Sequence, residues 1–213
     1  MRTALVAGAS GLIGRKLVQK LIDSDQYRLI YILSRKNSWL VNEKVREFVI
    51  DFEQINQLKF DEPIDDLFCT LGTTIKQAGS RDNFKKVDYE YIIEFAKLGK
   101  SIGAAKFLVI SAMGANSKSS VFYNQVKGMT EEALKSIGFS RLVILRPSLL
   151  LGERPEPRFG EQIASFFMKA VNFLIPDKYK AIRAEKVADN MLRMATDLAK
   201  GISIVESGEM IRN

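Results

Sequence analysis

The sequence predicts an α/β protein built on one doubly wound parallel sheet. Three observations predict it. A short apolar run at the start of the chain ends in a glycine turn that opens a helical pattern; β-rich runs and amphipathic helical spacings then alternate to the end; and no proline-, glycine- or serine-rich linker divides the 213 residues. A single domain over residues 1–213 is expected, with residues 151–180 as a small lid on the substrate side.

The opening strand is Ala4-Leu5-Val6-Ala7 and the turn is Gly8-Ala9-Ser10-Gly11-Leu12-Ile13-Gly14, after which Leu17, Leu21 and Ile22 continue a helical stripe. A strand that runs into such a turn leaves the free N–H groups and positive dipole end of the helix facing whatever the turn holds. A dinucleotide pyrophosphate fits that geometry and charge. Gly8 permits the tight turn, Gly11 the close approach of phosphates, and Gly14 the close packing of helix on strand. The spacing is GxxGxxG rather than GxGxxG.

The second strand, residues 28–33, ends in Ser34-Arg35-Lys36. In this fold an acid at that point accepts the adenosine 2′-hydroxyl, whereas an arginine accommodates a 2′-phosphate. Arg35 stands there without an acid beside it, which predicts NADP(H) in preference to NAD(H). Residues 45–50 form a third strand, followed by Asp51 and Phe52, which border the adenine unless Asp51 caps the next segment. A fourth strand, residues 66–70, leads into Leu71-Gly72-Thr73-Thr74, a turn lying across the cofactor from the first glycine loop.

Helical spacing then runs from 81 to 100 through Phe84, Val87, Tyr91, Ile92, Phe95 and Leu98, with Gly99 and Gly103 marking its end. A fifth strand, 106–110, closes on Ser111, and a sixth, 141–145, is ended by Pro147, which has no N–H to donate. Residues 151–158 read as a loop at the strand ends, and 159–174 as a helix whose apolar side chains, Phe166 and Phe167 among them, form a lid over the nicotinamide or a contact for a second subunit. Half of that helix's apolar side chains read equally as ordinary core packing; a helix over 185–199 and a strand over 202–206 complete the pattern.

Composition removes several function classes. With no histidine, a Ser-His-Asp hydrolase is excluded, the usual zinc sets are lacking, and a general acid must be Tyr, Lys, Cys or a carboxylate. The single cysteine, Cys69, makes no internal disulfide and reads as inert packing in an apolar strand. The net charge of +7 is scattered among acids, which disfavours a nucleic-acid partner. No apolar run reaches membrane length and nothing resembles a signal peptide, so a cytoplasmic protein is expected.

The chemistry rests on Tyr123-Asn124-Gln125-Val126-Lys127. Four residues apart on a helix, Tyr123 and Lys127 share a face. A neighbouring ammonium stabilises the phenolate, drawing a tyrosine down from its usual value of about 10 so that it exchanges a proton with a substrate oxygen. Ser111 could polarise the carbonyl, and Lys127 could also bond the nicotinamide ribose.

With these residues in place, the chain resembles the short-chain dehydrogenase/reductase superfamily over nearly its whole length. The cradle, Ser111, the YxxxK pair and Leu145-Arg146-Pro147-Ser148-Leu149-Leu150-Leu151-Gly152 occur in the order of its extended and atypical branches. The Leu71 turn and the 123–128 segment are similar to the atypical group related to the human Tat-interacting protein. The resemblance implies a Rossmann sheet of about seven strands. It implies Ser111, Tyr123 and Lys127 as a catalytic triad, and a cofactor site of Gly8, Ser10, Gly11, Leu12, Ile13, Gly14, Ser34, Arg35, Lys36, Asp51, Phe52, Leu71, Gly72, Thr73, Lys127 and Pro147. The expected function is an NADPH-dependent carbonyl-type oxidoreductase with a small-molecule substrate, its alternative a non-catalytic NADP(H)-binding redox sensor acting through a protein partner.

Three departures bear on this, the first being that Leu71-Gly72-Thr73-Thr74 replaces the asparagine-containing turn that commonly follows the fourth strand. The asparagine of the proton relay has no counterpart in the helix before the fifth strand except Asn83, near its start, and Ala112 stands where many relatives carry a second serine. If the working hydroxyl belongs at 112, the triad is incomplete. Pairing of two copies through the Tyr123 helix, common in relatives, has no separate signal in this chain.

Overall fold

The computed structural model describes residues 1–37, 40–152 and 180–212. Its elements run β1 (Arg2–Ala7), α1 (Leu12–Asp23), β2 (Tyr27–Ser34), β3 (Val45–Val49), a 3₁₀ segment (Phe52–Gln57), β4 (Asp66–Cys69) and α2 (Ile75–Ala78). There follow α3 (Arg81–Lys85), a π turn (Lys86–Glu90), α4 (Tyr91–Ser101), β5 (Lys106–Ile110), α5 (Phe122–Ile137) and β6 (Arg141–Arg146). The described chain closes with β7 (Leu150–Leu151), β8 (Ile182–Arg183), α6 (Ala184–Thr196), β9 (Gly201–Glu206) and α7 (Ser207–Arg212).

Seven strands make one parallel sheet in the order β3-β2-β1-β4-β5-β6-β9, the doubly wound Rossmann arrangement. The direction of winding reverses between β1 and β4, and the crevice at their carboxyl ends is where open α/β sheets take ligands. The central strands are apolar throughout because both faces are covered: residues 3–7 of β1 and all of β4 are buried. On one face Leu17 and Leu21 of α1 join Val187 and Met191 of α6 over Val6 and Ile30. On the other, Phe95 of α4 and Leu134 of α5 pack over Leu67 and Phe107. Each such side chain contributes about 1.5–3 kcal/mol of burial.

Several expectations shift in detail. The helix expected over 81–100 passes through the π turn, and Gly99 lies within it rather than at its end. A Cβ on Gly99 would come 2.1 Å from Leu67 Cδ2, so this glycine is there to let α4 lie close on β4. The helix expected over 185–199 stops at Thr196, with Asp197 as its C-cap. The short β7–β8 pair and α7 have no counterpart in the expected elements. Of the proposed lid, residues 151, 152 and 180 are described; the helix expected over 159–174 lies outside the described residues.

Candidate functional site

The glycine turn has three separate physical requirements. Gly8 adopts φ +90°, and its carbonyl accepts the Gly11 N–H at 3.0 Å, closing the turn. A Cβ on Gly14 would stand 2.1 Å from Gly8 O, which is why helix and strand can approach only with glycine there. Gly11 caps α1 with no side-chain partner and no acid in the first turn, so the positive end of the helix faces the crevice uncompensated. Thr70, at the end of β4, ties the turn from across the crevice: its hydroxyl lies 3.0 Å from Gly8 O and 3.2 Å from Ala7 O. Sequence reasoning passed over Thr70, although it immediately precedes the Leu71-Gly72-Thr73 turn it anchors.

Beside the cradle is a cavity of about 550 Å³ lined in part by Ser10, Arg15, Ser34, Arg35, Lys36 and Glu47. It brings together Ser10 and the three residues at the end of β2, as expected from the sequence. It also holds two residues that were not expected. Arg15 adds a cation and donates from Nε to Ser10 O at 2.9 Å. Glu47 adds an acid from β3 and accepts the Ser34 hydroxyl at 2.6 Å. The register Ile32↔Glu47 on adjacent strands is what brings that acid beside the β2 end.

Other expected residues are placed differently from one another. The Ile13 side chain is in the core, so its backbone alone faces the turn. Leu12 lies under Gly152, where a Cβ would be 2.7 Å from Leu12 Cδ1. Pro147 is buried, and its carbonyl accepts the Met113 N–H. Asp51 caps the 3₁₀ segment by accepting the Glu53 N–H at 3.0 Å, the second of its two readings. Phe52 is turned into the core and stacked on Tyr91 with ring centroids 5.3 Å apart, so the structure does not bring its ring to the cradle cavity.

At the far end of the crevice, α5 carries Tyr123, half-buried against Phe84, and Lys127, buried to 4% exposure. A Cβ on Gly128 would fall 2.1 Å from Ser117 N, so this glycine lets the helix lie directly on the loop after β5. Lys127 Nζ is 2.8 Å from Asp88 Oδ1, within a fully buried carboxylate supplied by the π turn. Burial alone would push Lys127 down; Asp88, aided by Tyr123, outweighs it and holds the ammonium above the ordinary lysine value. Asp88 Oδ2 accepts the Thr73 N–H at 2.8 Å, fastening the Leu71 turn to the same carboxylate. Asn83 instead donates to Ala78 O and takes no part in this pair. The missed signal was an acid at i+4 from Phe84 and i−4 from Ile92, on the buried stripe of the helix.

Ser111 is buried, and its hydroxyl donates to Glu131 Oε1 at 2.6 Å. Glu131 in turn receives Arg146 Nε at 2.9 Å and Nη2 at 2.6 Å. Cys69 is fully buried, and burial pushes its thiol up to about 12, consistent with inert packing. Among the described residues no group of three or more acids or cysteines is placed to hold a metal, and no helix is long and apolar enough to cross a membrane.

No family model matches the chain, but individual proteins do. Protein HTATIP2 of Rattus norvegicus is 31% identical over 201 residues, covering 92% of this chain and 81% of that protein. The mitochondrial protein FMP52 of Eremothecium gossypii is 34% identical over 218 aligned positions, covering 98% and 95%. Among solved structures, MoeE5 in complex with UDP-glucose and NAD superposes with a TM-score of 0.72 at 16% identity, over 99% of this chain and 80% of that one. UDP-glucose 4-epimerase from Thermotoga maritima with UDP-glucose gives 0.72 at 17%, over 97% and 77%. At those identities the structural likeness is one of fold.

Kinship and fold agree on the class, which is that of the atypical short-chain dehydrogenase/reductases, built on a Rossmann sheet. Within it, the chain belongs to the family of HTATIP2 and FMP52.

The relatives correct one expectation. Six of them, all fungal, are named mitochondrial proteins, which overturns the cytoplasmic location. A lone cysteine and the lack of a membrane-length apolar run are common to both compartments and do not discriminate between them.

Proposed function

We propose that this protein is an NADPH-dependent reductase of a small carbonyl substrate. The observation that carries the reading is the buried Lys127 ammonium, presented with Tyr123 on one face of α5 beside the Gly72 turn: a Cβ on Gly72 would lie 3.8 Å from Lys127 Nζ. The residues fit a dinucleotide. The cradle has room for phosphate where Cβ atoms would intrude, α1 presents an uncapped N-terminus, and Arg15, Arg35 and Lys36 surround a cavity of nucleoside size. The cations at the end of β2 support the preference for the 2′-phosphorylated cofactor.

When bound, NADPH supplies the reducing equivalent. The chain's own part is proton delivery and positioning. Tyr123 gives its proton to the carbonyl oxygen, Lys127 stabilises the phenolate left behind, and the remaining Lys127 donors would hold the cofactor's ribose. Ser111 has one proton and spends it on Glu131, so polarising a carbonyl requires it to let go of that partner. That commitment, with Ala112 next in the chain, favours the second reading, a redox sensor that binds NADP(H) and signals through a protein partner.

Parallel fluorescence titrations with NADPH and NADH, followed by a panel of carbonyl substrates, test both. Tight NADPH binding with turnover that Tyr123→Phe lowers by about 10²–10⁴-fold supports the reductase. Binding without turnover on any carbonyl supports the sensor, and no binding of either dinucleotide overturns both.

A further inference from the structure

The π turn introduces a charge into a stripe that is otherwise apolar. Phe84, Asp88, Ile92 and Phe95 are all buried on the face that α3, the π turn and α4 turn toward the sheet and α5. A carboxylate in that row is costly to bury unless it is paired and hydrogen-bonded. Asp88 is both: Lys127 Nζ is 2.8 Å from Oδ1 and the Thr73 N–H is 2.8 Å from Oδ2, while the Thr130 hydroxyl holds the Asp88 main chain by donating to its backbone carbonyl at 2.8 Å. Three elements, the π turn, α5 and the turn after β4, therefore meet at one carboxyl group. π turns are rare and recur at functional sites.

We infer that Asp88 is a positioning residue of the Tyr123–Lys127 pair: its carboxylate locks the Lys127 ammonium against the Gly72-Thr73 turn, and its charge sets the pH at which the pair gives up its first proton. The catalytic meaning of this inference rests on the reductase reading above; the coupling itself does not. The titratable groups facing Lys127 are Asp88 from the π turn, Tyr123 on its own helix and Cys69 from β4. Among the described residues Asp88 is the one carboxylate of these, and it opposes the loss of a proton from either member of the pair. Since Tyr123 and Lys127 are coupled, their first proton loss belongs to the pair rather than to either residue.

Carbon-13 NMR of the protein without cofactor or substrate, labelled at the tyrosine ζ and lysine ε carbons, reads this coupling directly. Tyr123→Phe and Lys127→Met assign the two signals. In the unaltered chain Lys127 should stay charged through the pH range in which the exposed lysines titrate. In Asp88→Asn, which keeps an acceptor for Thr73 N–H and removes the charge, the first proton should leave the pair about one pH unit lower. Asp88→Glu should restore it. Should Asp88→Asn fail to fold, the unaltered chain still decides: Lys127 losing its proton before the exposed lysines overturns the inference, as does an Asp88→Asn titration that coincides with the unaltered one. A shifted titration in a protein that reduces no carbonyl overturns the reductase reading and leaves the Asp88 coupling standing.

Discussion

Ser111 Oγ lies 2.6 Å from Glu131 Oε1, and the same carboxylate holds the Arg146 guanidinium through both oxygens. A strand-end hydroxyl, a buried acid on α5 and a cation at the end of β6 are thus locked together below the crevice. The lock has an energetic consequence: truncating Glu131 leaves Arg146 and Ser111 with unmatched donors in a largely desolvated site.

Glu131→Ala should therefore cost about 3 kcal/mol of stability, near the lower end of the range for a broken buried pair because Arg146 is partly exposed and retains Glu206 at 3.0 Å. Ser111→Ala should cost about 1 kcal/mol. Denaturant unfolding followed by circular dichroism measures both.

The same geometry ranks the hydroxyls in catalysis. If position 112 is where a working hydroxyl belongs, Ala112→Ser should raise carbonyl turnover by at least about tenfold, while Ser111→Ala lowers it far less than Tyr123→Phe does. Steady-state kinetics of the three variants with NADPH checks the order. Equal losses in Ser111→Ala and Tyr123→Phe would make Ser111 the working hydroxyl of the triad.

Cofactor choice turns on opposing charges in one cavity. Arg35→Ala should weaken NADPH binding by about tenfold or more and leave NADH nearly unchanged, the loss expected for one charge-assisted phosphate contact. Glu47→Gln should act in the opposite direction, since its carboxylate lines the same cavity and a 2′-phosphate carries like charge. Titrating both cofactors against both variants shows whether the preference is set here.

Far from the crevice, at the amino ends of the strands, Asp66 is fully buried beside Tyr27 and Arg2. Burial pushes its carboxyl up to about 6, with Tyr27 and Arg2 offsetting only part of the effect. The folded chain then binds this proton more tightly than the unfolded chain, so the group's contribution to stability is complete below about pH 4 and is lost as pH rises through about 6. Relative to Asp66→Asn, the unaltered protein should lose about 2–3 kcal/mol between pH 4 and pH 7. Unfolding curves of the two proteins across that range provide the comparison.

Much of this architecture was legible in the residues because the signals were local. Ala4 to Ala7 before Gly8, the β-rich run before Arg35 and the Tyr123–Lys127 spacing each report on a few neighbours, and strand and helix followed as expected. What was not legible depends on contacts across the fold. Asp88 reads as an ordinary helical acid until α5 delivers Lys127 to it. Glu47 reads as a surface strand residue until β3 pairs in register with β2. Phe52 follows the third strand as expected, but its ring finds Tyr91 in the core. Gly99 marks a helix end by propensity, and only the proximity of Leu67 shows why it lies inside one.

Two glycines of the cradle, Gly14 and Gly11, give the sharpest separation of fold from function. A methyl group on Gly14 meets Gly8 O at 2.1 Å and Ala9 Cα at 2.9 Å, backbone that cannot yield cheaply. Gly14→Ala should therefore destabilise the protein by about 3 kcal/mol, as overpacking does, whether or not a dinucleotide is present. On Gly11 the nearest protein atom is Gly8 O at 3.2 Å, tight but open to a small adjustment. Gly11→Ala should thus change stability by less than about 1 kcal/mol yet weaken dinucleotide binding by at least about tenfold, because its methyl group occupies space the fold itself does not need. Thermal unfolding and cofactor titration of the two variants separate the roles, and a Gly11→Ala protein that binds NADPH normally would mean that phosphates do not approach the turn at that residue.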